Sequence, residues 1–252
     1  MPRSADPNPS GVQSVHRSLD VLEVVAARGG VLSIGEIADA AGVPLPTTHR
    51  LLRTLVDRGY MRQLPDRRYA LGFRLVPLGG SASAMAGAGT DRVLRGLVDA
   101  LGETANLAML DGDQVAYVAQ APGQHAMRMF TEVGRRVHPH CTAVGKALLA
   151  GSPEADVRAL LARTGLPRHT DRTLTDADAF VGALAGVREA GYALDEGEQE
   201  VGVRCVAVAL GGGPLPLALS ISGPAPRMTD ELVAEAVPLL RRAAAALVTE
   251  VS

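Results

Sequence analysis

Apolar residues near the start of the chain recur at spacings of three and four, which is the pattern of a helix with one buried face. This pattern predicts a first helix from about Ser14 to Arg28, which the pair Gly29-Gly30 ends. Such a helix would complete the three-helix core of a small domain. The residues expected on its inner face are Val15, Leu19, Leu22 and Val25 or Ala26.

Residues 33–60 predict two short helices around a tight turn, the layout of a helix-turn-helix. Ser33 and Glu36 have the spacing of a capping box, and Gly42 can supply the left-handed residue that ends the first helix. The segment Pro44-Leu45-Pro46 can open the second helix, because a first-turn proline loses no intrahelical hydrogen bond. The expected inner faces are Ile37, Ala38 and Ala41 on the first helix, and Thr48, Leu51, Leu52 and Leu55 on the second.

Two short segments at 60–64 and 68–71 flank the turn Pro65-Asp66-Arg67 and predict a two-stranded ribbon. A helix-turn-helix followed by such a ribbon is a winged helix, which favours DNA binding. The alternative is an antiparallel helical hairpin in an all-α core, and the ribbon counts against it. We therefore expect a winged helix-turn-helix domain over residues 14–72.

From residue 90 onward, mixed patterns predict an α+β domain in which helices flank one antiparallel sheet. Two hairpins are expected, 105–110 with 114–120 around Asp111-Gly112-Asp113, and 203–210 with 215–222. This arrangement resembles a small-molecule sensor of the GAF type. Short strands are also expected at 127–130 and 192–194. Two helices are expected at 93–101 and 141–150, and a third runs from the cap Ser152-Pro153-Glu154 toward Arg163. A fourth helix should run from Thr175 or Asp176 to Gly191, and a fifth from the cap Thr229 to Leu247 with a kink at Pro238.

Composition and the positions of glycine and proline divide the 252 residues into four parts. Residues 1–13 are polar and proline-rich, which predicts a disordered arm, and the winged helix follows at 14–72. A linker helix is expected at 73–89, kinked or started at Pro77, and the Gly, Ala and Ser residues between Gly79 and Gly89 mark the domain break. The effector-binding domain would then occupy residues 90–252.

The net charge of −2 hides an uneven distribution. Residues 1–80 hold 10 Arg against 7 acidic residues, a balance of +3, whereas residues 81–252 hold 15 basic and 20 acidic residues, a balance of −5. A balance of +3 is weak evidence alone, but its location favours nucleic acid as the partner of the first part. The arginines on the second helix and the ribbon are Arg50, Arg53, Arg62, Arg67 and Arg68.

Other features exclude several classes of protein. No apolar run reaches the roughly 18 residues of a membrane span, and the N-terminus has no apolar signal region, so we expect a cytoplasmic protein without a membrane partner. Cys141 and Cys205 are expected to be free thiols. No nucleophile-elbow or phosphate-loop string is present, so no enzyme and no catalytic residue is predicted. A GAF-like thiol enzyme or redox sensor is the alternative, and it would require an accessible thiol with a lowered pKa.

The run His138-Pro139-His140-Cys141, with His125 nearby in sequence, contains residue types that bind zinc. The spacing matches no usual zinc pattern. We therefore expect neither a metal nor a cofactor, and a metal-responsive sensor remains a second alternative.

Together, five segments resemble the IclR family of transcriptional regulators, and the resemblance extends from Ser14 to Val251. The segments are GVPLPTTHRLLRTLVDRGY, YALGFRLVPLG, HCTAVGKALLA, REAGYALDEGEQEVGVRCVAVAL and LALSISGPAPRMT. The resemblance implies a ligand-responsive regulator, expected to be a repressor, that binds a palindromic operator near catabolic genes. It also implies a homodimer or a dimer of dimers that senses a small organic acid. Leu45 and Pro46 depart from the family, which usually carries a polar pair ahead of the residue matching Thr47.

On this reading, Arg50 is the leading base reader, because arginine can donate two hydrogen bonds to guanine in the major groove. Thr47 and His49 are the next candidates, although His49 could equally have a structural role and make no DNA contact. Arg53 and the two ribbon arginines are expected at phosphates. The full set expected at DNA is Thr47, Thr48, His49, Arg50, Arg53, Arg67 and Arg68.

The resemblance also places an effector between the start of the helix in TAVGKALLA and the later strands. The amides at a helix N-terminus suit a carboxylate, and Ser220 and Ser222 alternate on one strand face. Asp195 would repel a carboxylate unless it is protonated or accepts from a ligand hydroxyl, which favours a hydroxy acid. Alternatively, the serines and Asp195 only satisfy turns and strand ends. The full set is Ala143 and Val144 through their backbone, with Asp195, Cys205, Ser220 and Ser222.

Overall fold

A computed structural model describes residues 11–84, 89–126, 133–211 and 215–251. Within these ranges the chain forms two compact units that divide between Ala82 and Ser83. Ten of the thirteen residues expected to form the N-terminal arm lie outside the described ranges, as does the strand expected at 127–130.

The first unit combines helices with a three-stranded antiparallel sheet of order β1-β3-β2. The sheet includes a strand that the sequence did not predict, because two residues are too short to show alternation. The elements are α1 (Gln13–Ala27), β1 (Val31–Leu32), α2 (Ile34–Ala41), α3 (Leu45–Asp57), β2 (Met61–Gln63) and β3 (Tyr69–Leu71), and the linker helix α4 (Leu75–Ala84) follows.

Local hydrogen bonds fix the turn between α2 and α3. The Ser33 hydroxyl accepts from the Glu36 amide at 3.4 Å, and the Glu36 carboxylate accepts from the Ser33 amide at 2.7 Å, which confirms the predicted capping box. Gly42 ends α2 with φ +62°, a conformation that costs glycine little. Pro44 precedes α3 and Pro46 lies in its first turn, as predicted.

The core of this unit differs from the expected one along α1. Val21 and Val25 are buried, but Val15 and Leu19 are 54% and 50% exposed, so their predicted place on the inner face is wrong. The buried positions lie in the later turns of α1, which pack with α2, α3 and the sheet. The core residues are Val21, Val25, Leu32, Ile37, Leu52, Leu55, Met61 and Tyr69.

The second unit is built around a six-stranded sheet of order β6-β5-β4-β9-β8-β7. Every neighbouring pair is antiparallel, which confirms the predicted sheet. The first half contains α5 (Thr90–Leu101), β4 (Thr104–Asp111), β5 (Gln114–Ala121), β6 (Arg136–Val137) and α6 (Ala143–Ala150). The second half contains α7 (Glu154–Thr164), α8 (Ala177–Ala190), β7 (Ala193–Asp195), β8 (Val203–Ala209), β9 (Leu217–Pro224) and α9 (Asp230–Val251).

Most predicted helix ends in this unit are confirmed. Asp176 caps α8, Gly191 ends it, and the Thr229 hydroxyl accepts from the Leu232 amide at the start of α9. Ser152 does not cap α7, contrary to expectation, because Pro153 occupies the cap position and no side chain bonds there. Strand β6 was also not predicted, since it is only two residues long.

Alternation along β9 separates the two faces of the sheet. Leu217, Leu219 and Ile221 join the larger core with α5 and α9. Ala218 lies on the opposite face, where α6 packs against small residues of the strands. Because side chains alternate along a strand, Ser220 and Ser222 share this second face.

Helix α6 lies very close to the turn that precedes it. A Cβ atom added at Gly145 would lie 2.2 Å from the Pro139 carbonyl oxygen, so the residue there must be glycine if the turn is to keep its position. The segment Pro139–Cys141 is a single 3₁₀ turn, and Thr142 caps the helix after it. Every residue of α6 is buried.

We expect Gly145→Ala to destabilise the second unit by about 1–3 kcal/mol, the usual cost of overpacking. The free energy of unfolding in urea measures the effect. Gly182→Ala is the matched control, because Gly182 lies in α8 with nothing within 4 Å of its added Cβ. The control should be neutral or slightly stabilising, since alanine favours helix. Equal stability of the two variants would contradict the close contact.

Candidate effector site and nucleic-acid interface

Helix α3 presents a basic face to solvent. His49, Arg50 and Arg53 are exposed, and Thr47 is half-buried at the start of the helix. Leu45, in the same first turn, is 52% exposed, so the outer face begins with apolar residues. This surface has the composition of a helix that enters a groove of DNA.

Thr48 does not belong to that face, so its inclusion in the DNA-binding set is wrong. The side chain is fully buried, and its hydroxyl donates to the carbonyl oxygens of Val43 at 3.1 Å and Pro44 at 3.2 Å. Thr48 therefore fixes the turn from inside, as its spacing along α3 indicates.

The tip of the β2–β3 ribbon holds two exposed arginines in different situations. Arg67 has φ +65°, a left-handed conformation that non-glycine residues seldom adopt. Arg68 is paired with Asp66, since its Nε lies 2.7 Å from Oδ2 and its amide lies 3.1 Å from Oδ1. No ion-pair partner of Arg67 occurs among the described residues. Arg67 is thus the freer cation at this tip.

Arg62 on strand β2 has a different role. Its guanidinium carbon lies 5.0 Å from the centroid of the Phe73 ring, in cation–π geometry. This contact ties the ribbon to the segment that leads into α4.

All six residues predicted for the effector line one cleft of the second unit. The cleft lies between the N-terminus of α6 and the sheet face that carries Ser220 and Ser222. Its lining residues are Tyr117, Arg135, Val137, Thr142, Ala143, Val144, Asp195, Gln199, Glu200, Val203, Cys205, Ser220 and Ser222.

The N-terminus of α6 supplies backbone donors to this cleft. The Thr142 hydroxyl accepts from the Gly145 amide at 3.2 Å, and the Thr142 carbonyl accepts from Lys146. The amides of Ala143 and Val144 belong to the first turn, so they have no partner within the helix. Such amides, together with the positive end of the helix dipole, attract an anion.

A polar ladder crosses the sheet below these amides. The Gln120 side chain donates to the Asn106 oxygen at 3.0 Å, and the Asn106 amide donates to Ser222 at 2.8 Å and to Ser220 at 3.4 Å. Because both serine oxygens accept from Asn106, each hydroxyl keeps its own hydrogen for another acceptor. The ladder thus turns the serines into donors that can face an acid.

Asp195, the last residue of β7, also lines the cleft. Its Oδ1 accepts from the Glu198 amide at 2.7 Å, which holds the loop after β7. Burial raises the pKa of Asp195 to about 6. The amides of this loop and the charge of Lys146 lower the pKa, but burial has the larger effect. The carboxyl group therefore has a structural contact and also a pKa well above that of an ordinary aspartate.

The same loop is anchored by a buried ion pair. The ammonium group of Lys146, the only lysine of the chain, lies within hydrogen-bonding distance of Glu198 Oε1. Only 7% and 10% of the two side chains are exposed. Glu198 Oε2 is buried and has no partner among the described residues. This pair fixes α6 and the loop that carries Gln199 and Glu200.

Sequence reasoning missed Tyr117, Arg135, Gln199 and Glu200. Tyr117 lies on β5, between β6 and β4, and burial raises the pKa of its hydroxyl. Arg135 precedes β6, whose pairing with β5 depends on a long connection. Tyr117 and Arg135 reach the cleft through tertiary pairing, so no local pattern could have identified them, whereas Gln199 and Glu200 lie in a segment that carries the family resemblance.

The two cysteines lack the properties of reactive thiols. Burial raises the pKa of the Cys141 thiol to about 12 and raises that of Cys205 as well. Both thiols are therefore protonated near neutral pH and weakly nucleophilic.

Comparison with known proteins matches both units. Residues 14–65 match the IclR helix-turn-helix domain, and residues 87–249 match the C-terminal domain of bacterial IclR transcriptional regulators. The acetate operon repressor of Salmonella typhimurium is 37% identical over 241 residues, which cover 92% of this chain and 88% of that protein.

The chain belongs to the IclR family of bacterial transcriptional regulators.

Solved structures agree with the family assignment. The Thermotoga maritima IclR crystal structure has a TM-score of 0.79 at 26% identity and covers 94% of this chain and 98% of that one. An IclR homolog from Microbacterium hydrocarbonoxydans, crystallised with 4-hydroxybenzoate, has a TM-score of 0.75 at 25% identity, with coverage of 95% and 99%.

This IclR regulator is accordingly a DNA-binding transcription factor and not an enzyme, which decides against the thiol-enzyme alternative. The α+β fold with an N-terminal helix-turn-helix is likewise that of the family. Among the described residues, no helix is long and apolar enough to cross a membrane.

The raised pKa of Asp195 predicts a pH-dependent stability. The folded state binds this proton more tightly than the unfolded chain, so the contribution of Asp195 to stability should fall as pH rises from the ordinary pKa of 3.8 to about 6. Asp195→Asn keeps the oxygen that accepts from Glu198 and removes the charge. Relative to wild type, this variant should gain about 2–3 kcal/mol of stability between pH 4 and pH 7 in urea unfolding. A difference that stays constant over this range would contradict the raised pKa.

Proposed function

We propose that this IclR regulator is a ligand-controlled repressor of a metabolic operon. It binds a palindromic operator as a homodimer or a dimer of dimers and responds to a small carboxylic or hydroxy acid. The similar Salmonella typhimurium protein is named as an operon repressor, which supports this sign of regulation. The observation that carries the proposal is the cleft in which helix amides, two serine donors and Asp195 converge.

The DNA contacts that we propose divide into two kinds. Arg50, with Thr47 and His49 beside it on α3, reads bases in the major groove. Arg53 and the ribbon arginines Arg67 and Arg68 contact phosphates, and they position the helix without reading sequence. A two-fold dimer presents two such helices, so the operator has matching half-sites.

This assignment predicts different effects for two arginine variants on an operator selected from random duplex DNA. Arg50→Ala should lose about 1–3 kcal/mol of preference at one base position. Arg67→Ala should weaken binding to all sequences alike. It should also reduce the slope of log affinity against log salt concentration, the salt slope, by about 1. Fluorescence anisotropy across a salt series measures both effects.

Arg95→Ala is the control for this experiment, because it removes one positive charge from an exposed site of the second unit. It should leave both sequence preference and salt slope unchanged. If Arg50→Ala keeps the wild-type preference for operator over scrambled DNA, Arg50 does not read bases.

The ligand orientation follows from the donors and acceptors of the cleft. We place the carboxylate at the Ala143 and Val144 amides and the hydroxyls of Ser220 and Ser222. Arg135 adds positive charge to the lining, and Asp195 accepts from a hydroxyl of the ligand. The homolog crystallised with 4-hydroxybenzoate shows that a related protein holds an acid with both groups.

We expect 4-hydroxybenzoate to raise the thermal stability of the full chain, and Ser222→Ala to weaken its binding about tenfold. The expected loss is that of one hydrogen bond to a charged group. Ser152→Ala is the control, because Ser152 lies outside the cleft. Isothermal titration with 4-hydroxybenzoate and with benzoate measures the affinities. Wild-type affinity for both acids in Ser222→Ala would contradict the proposed orientation, and no binding of either acid by wild type would contradict an aromatic acid as the ligand.

A further inference from the structure

We propose that His140, Cys141 and His169 form a binding site for a transition-metal ion of the zinc class. One potential ligand atom from each of the three residues lies within 4.8 Å of the others. The site is distinct from the donors that we assign to the acid effector. It uses residue types that zinc favours, two imidazoles and a thiolate.

His140 has one ring nitrogen available as a ligand. Its Nε2 lies 3.1 Å from the Pro167 carbonyl oxygen, and a carbonyl can only accept, so Nε2 carries the hydrogen. Its Nδ1 is buried and has no hydrogen-bond partner among the described residues. A buried polar atom without a partner is costly and needs an explanation. Metal-bound histidines usually donate their second ring N–H to a carbonyl or carboxylate, as His140 does here.

Cys141 supplies the sulfur from beside the same ring. Its Sγ is fully buried and donates to the Gln199 side-chain oxygen at 2.8 Å. On metal binding, the S–H proton leaves to solvent and a sulfur–metal bond forms, with no change of oxidation state. A bound cation favours this loss of the thiol proton even where burial opposes it.

His169 completes the set from the loop between α7 and α8. Its backbone amide donates to the Thr173 hydroxyl at 3.1 Å, whereas its side chain is exposed and can rotate. Tetrahedral bonds of about 2.0–2.3 Å place ligand atoms roughly 3.3–3.8 Å apart, so the cluster must contract by about 1 Å. The His138 ring centroid lies 5.6 Å from that of His140 and 5.5 Å from that of His169, which makes it the candidate for a fourth ligand.

The structure also explains why the sequence spacing predicted no metal. The third ligand lies 28 residues after Cys141, on a different loop, and not in the run that contains His140. His125, which is closer in sequence, instead faces Glu103, with Nε2 at 3.7 Å from Oε1.

The metal site adjoins the effector cleft through Gln199. This residue accepts from Cys141 and also lines the cleft, so loss of the thiol hydrogen frees its side chain. Metal and acid would then change each other's affinity by the same factor. This coupling rests on the proposed effector function, whereas the metal site does not.

The test uses the full chain, freed of metal with a chelator and titrated with Co²⁺ alone. We expect one Co²⁺ per chain, with the visible bands of tetrahedral coordination and a thiolate-to-metal charge-transfer band. His169→Ala should weaken Co²⁺ binding more than about 100-fold, above the usual cost of losing an outer partner of a ligand. Because His169 is exposed, this variant should fold normally.

His125→Ala is the matched control, since it removes an exposed histidine of the same unit that lies outside the cluster. It should bind Co²⁺ as wild type does. Equal Co²⁺ affinity in His169→Ala and wild type would overturn the proposal, and so would a wild-type complex without the thiolate band. Neither readout depends on DNA or on an acid, so failure of the metal site is distinguishable from failure of the proposed repressor function.

Discussion

The close seating of α6 on the sheet is the constraint on which the second unit depends. Only glycine at 145 allows the helix to approach the Pro139 turn, and small side chains on the facing strands leave room for it. The position of the helix then decides where its free amides point, and where Thr142, Cys141 and His140 lie. This one contact thus positions part of the cleft lining and two members of the histidine cluster.

Buried charge sets the chemistry of the cleft. Lys146 is paired with Glu198, and Asp195 lies nearby with a pKa of about 6. Breaking a buried pair leaves an uncompensated charge, which usually costs more than the pair contributes. The loop that carries Gln199 and Glu200 is therefore tied to α6 by the buried pair of Lys146 and Glu198.

Local signals predicted most of the fold, because caps, glycine ends and alternation are written in neighbouring residues. The capping box at Ser33 and the cap at Asp176 are examples. Prediction from the sequence failed where tertiary contacts determine the local structure. Strands of two residues show no alternation, and Val15 follows the helical period of α1 although it is exposed. The six effector candidates came from family resemblance, whereas Arg135 and His169 reach their sites through long connections that no spacing reveals.

Arg67 illustrates a conflict between stability and function at the tip of the ribbon. A left-handed residue other than glycine costs about 1–2 kcal/mol, and Arg67 adopts φ +65°. Glycine at this position would relax the backbone and yet remove the cation for which we propose a phosphate contact. Under the proposed phosphate contact, selection for a more stable protein and selection for tighter DNA binding would favour different residues at the same site.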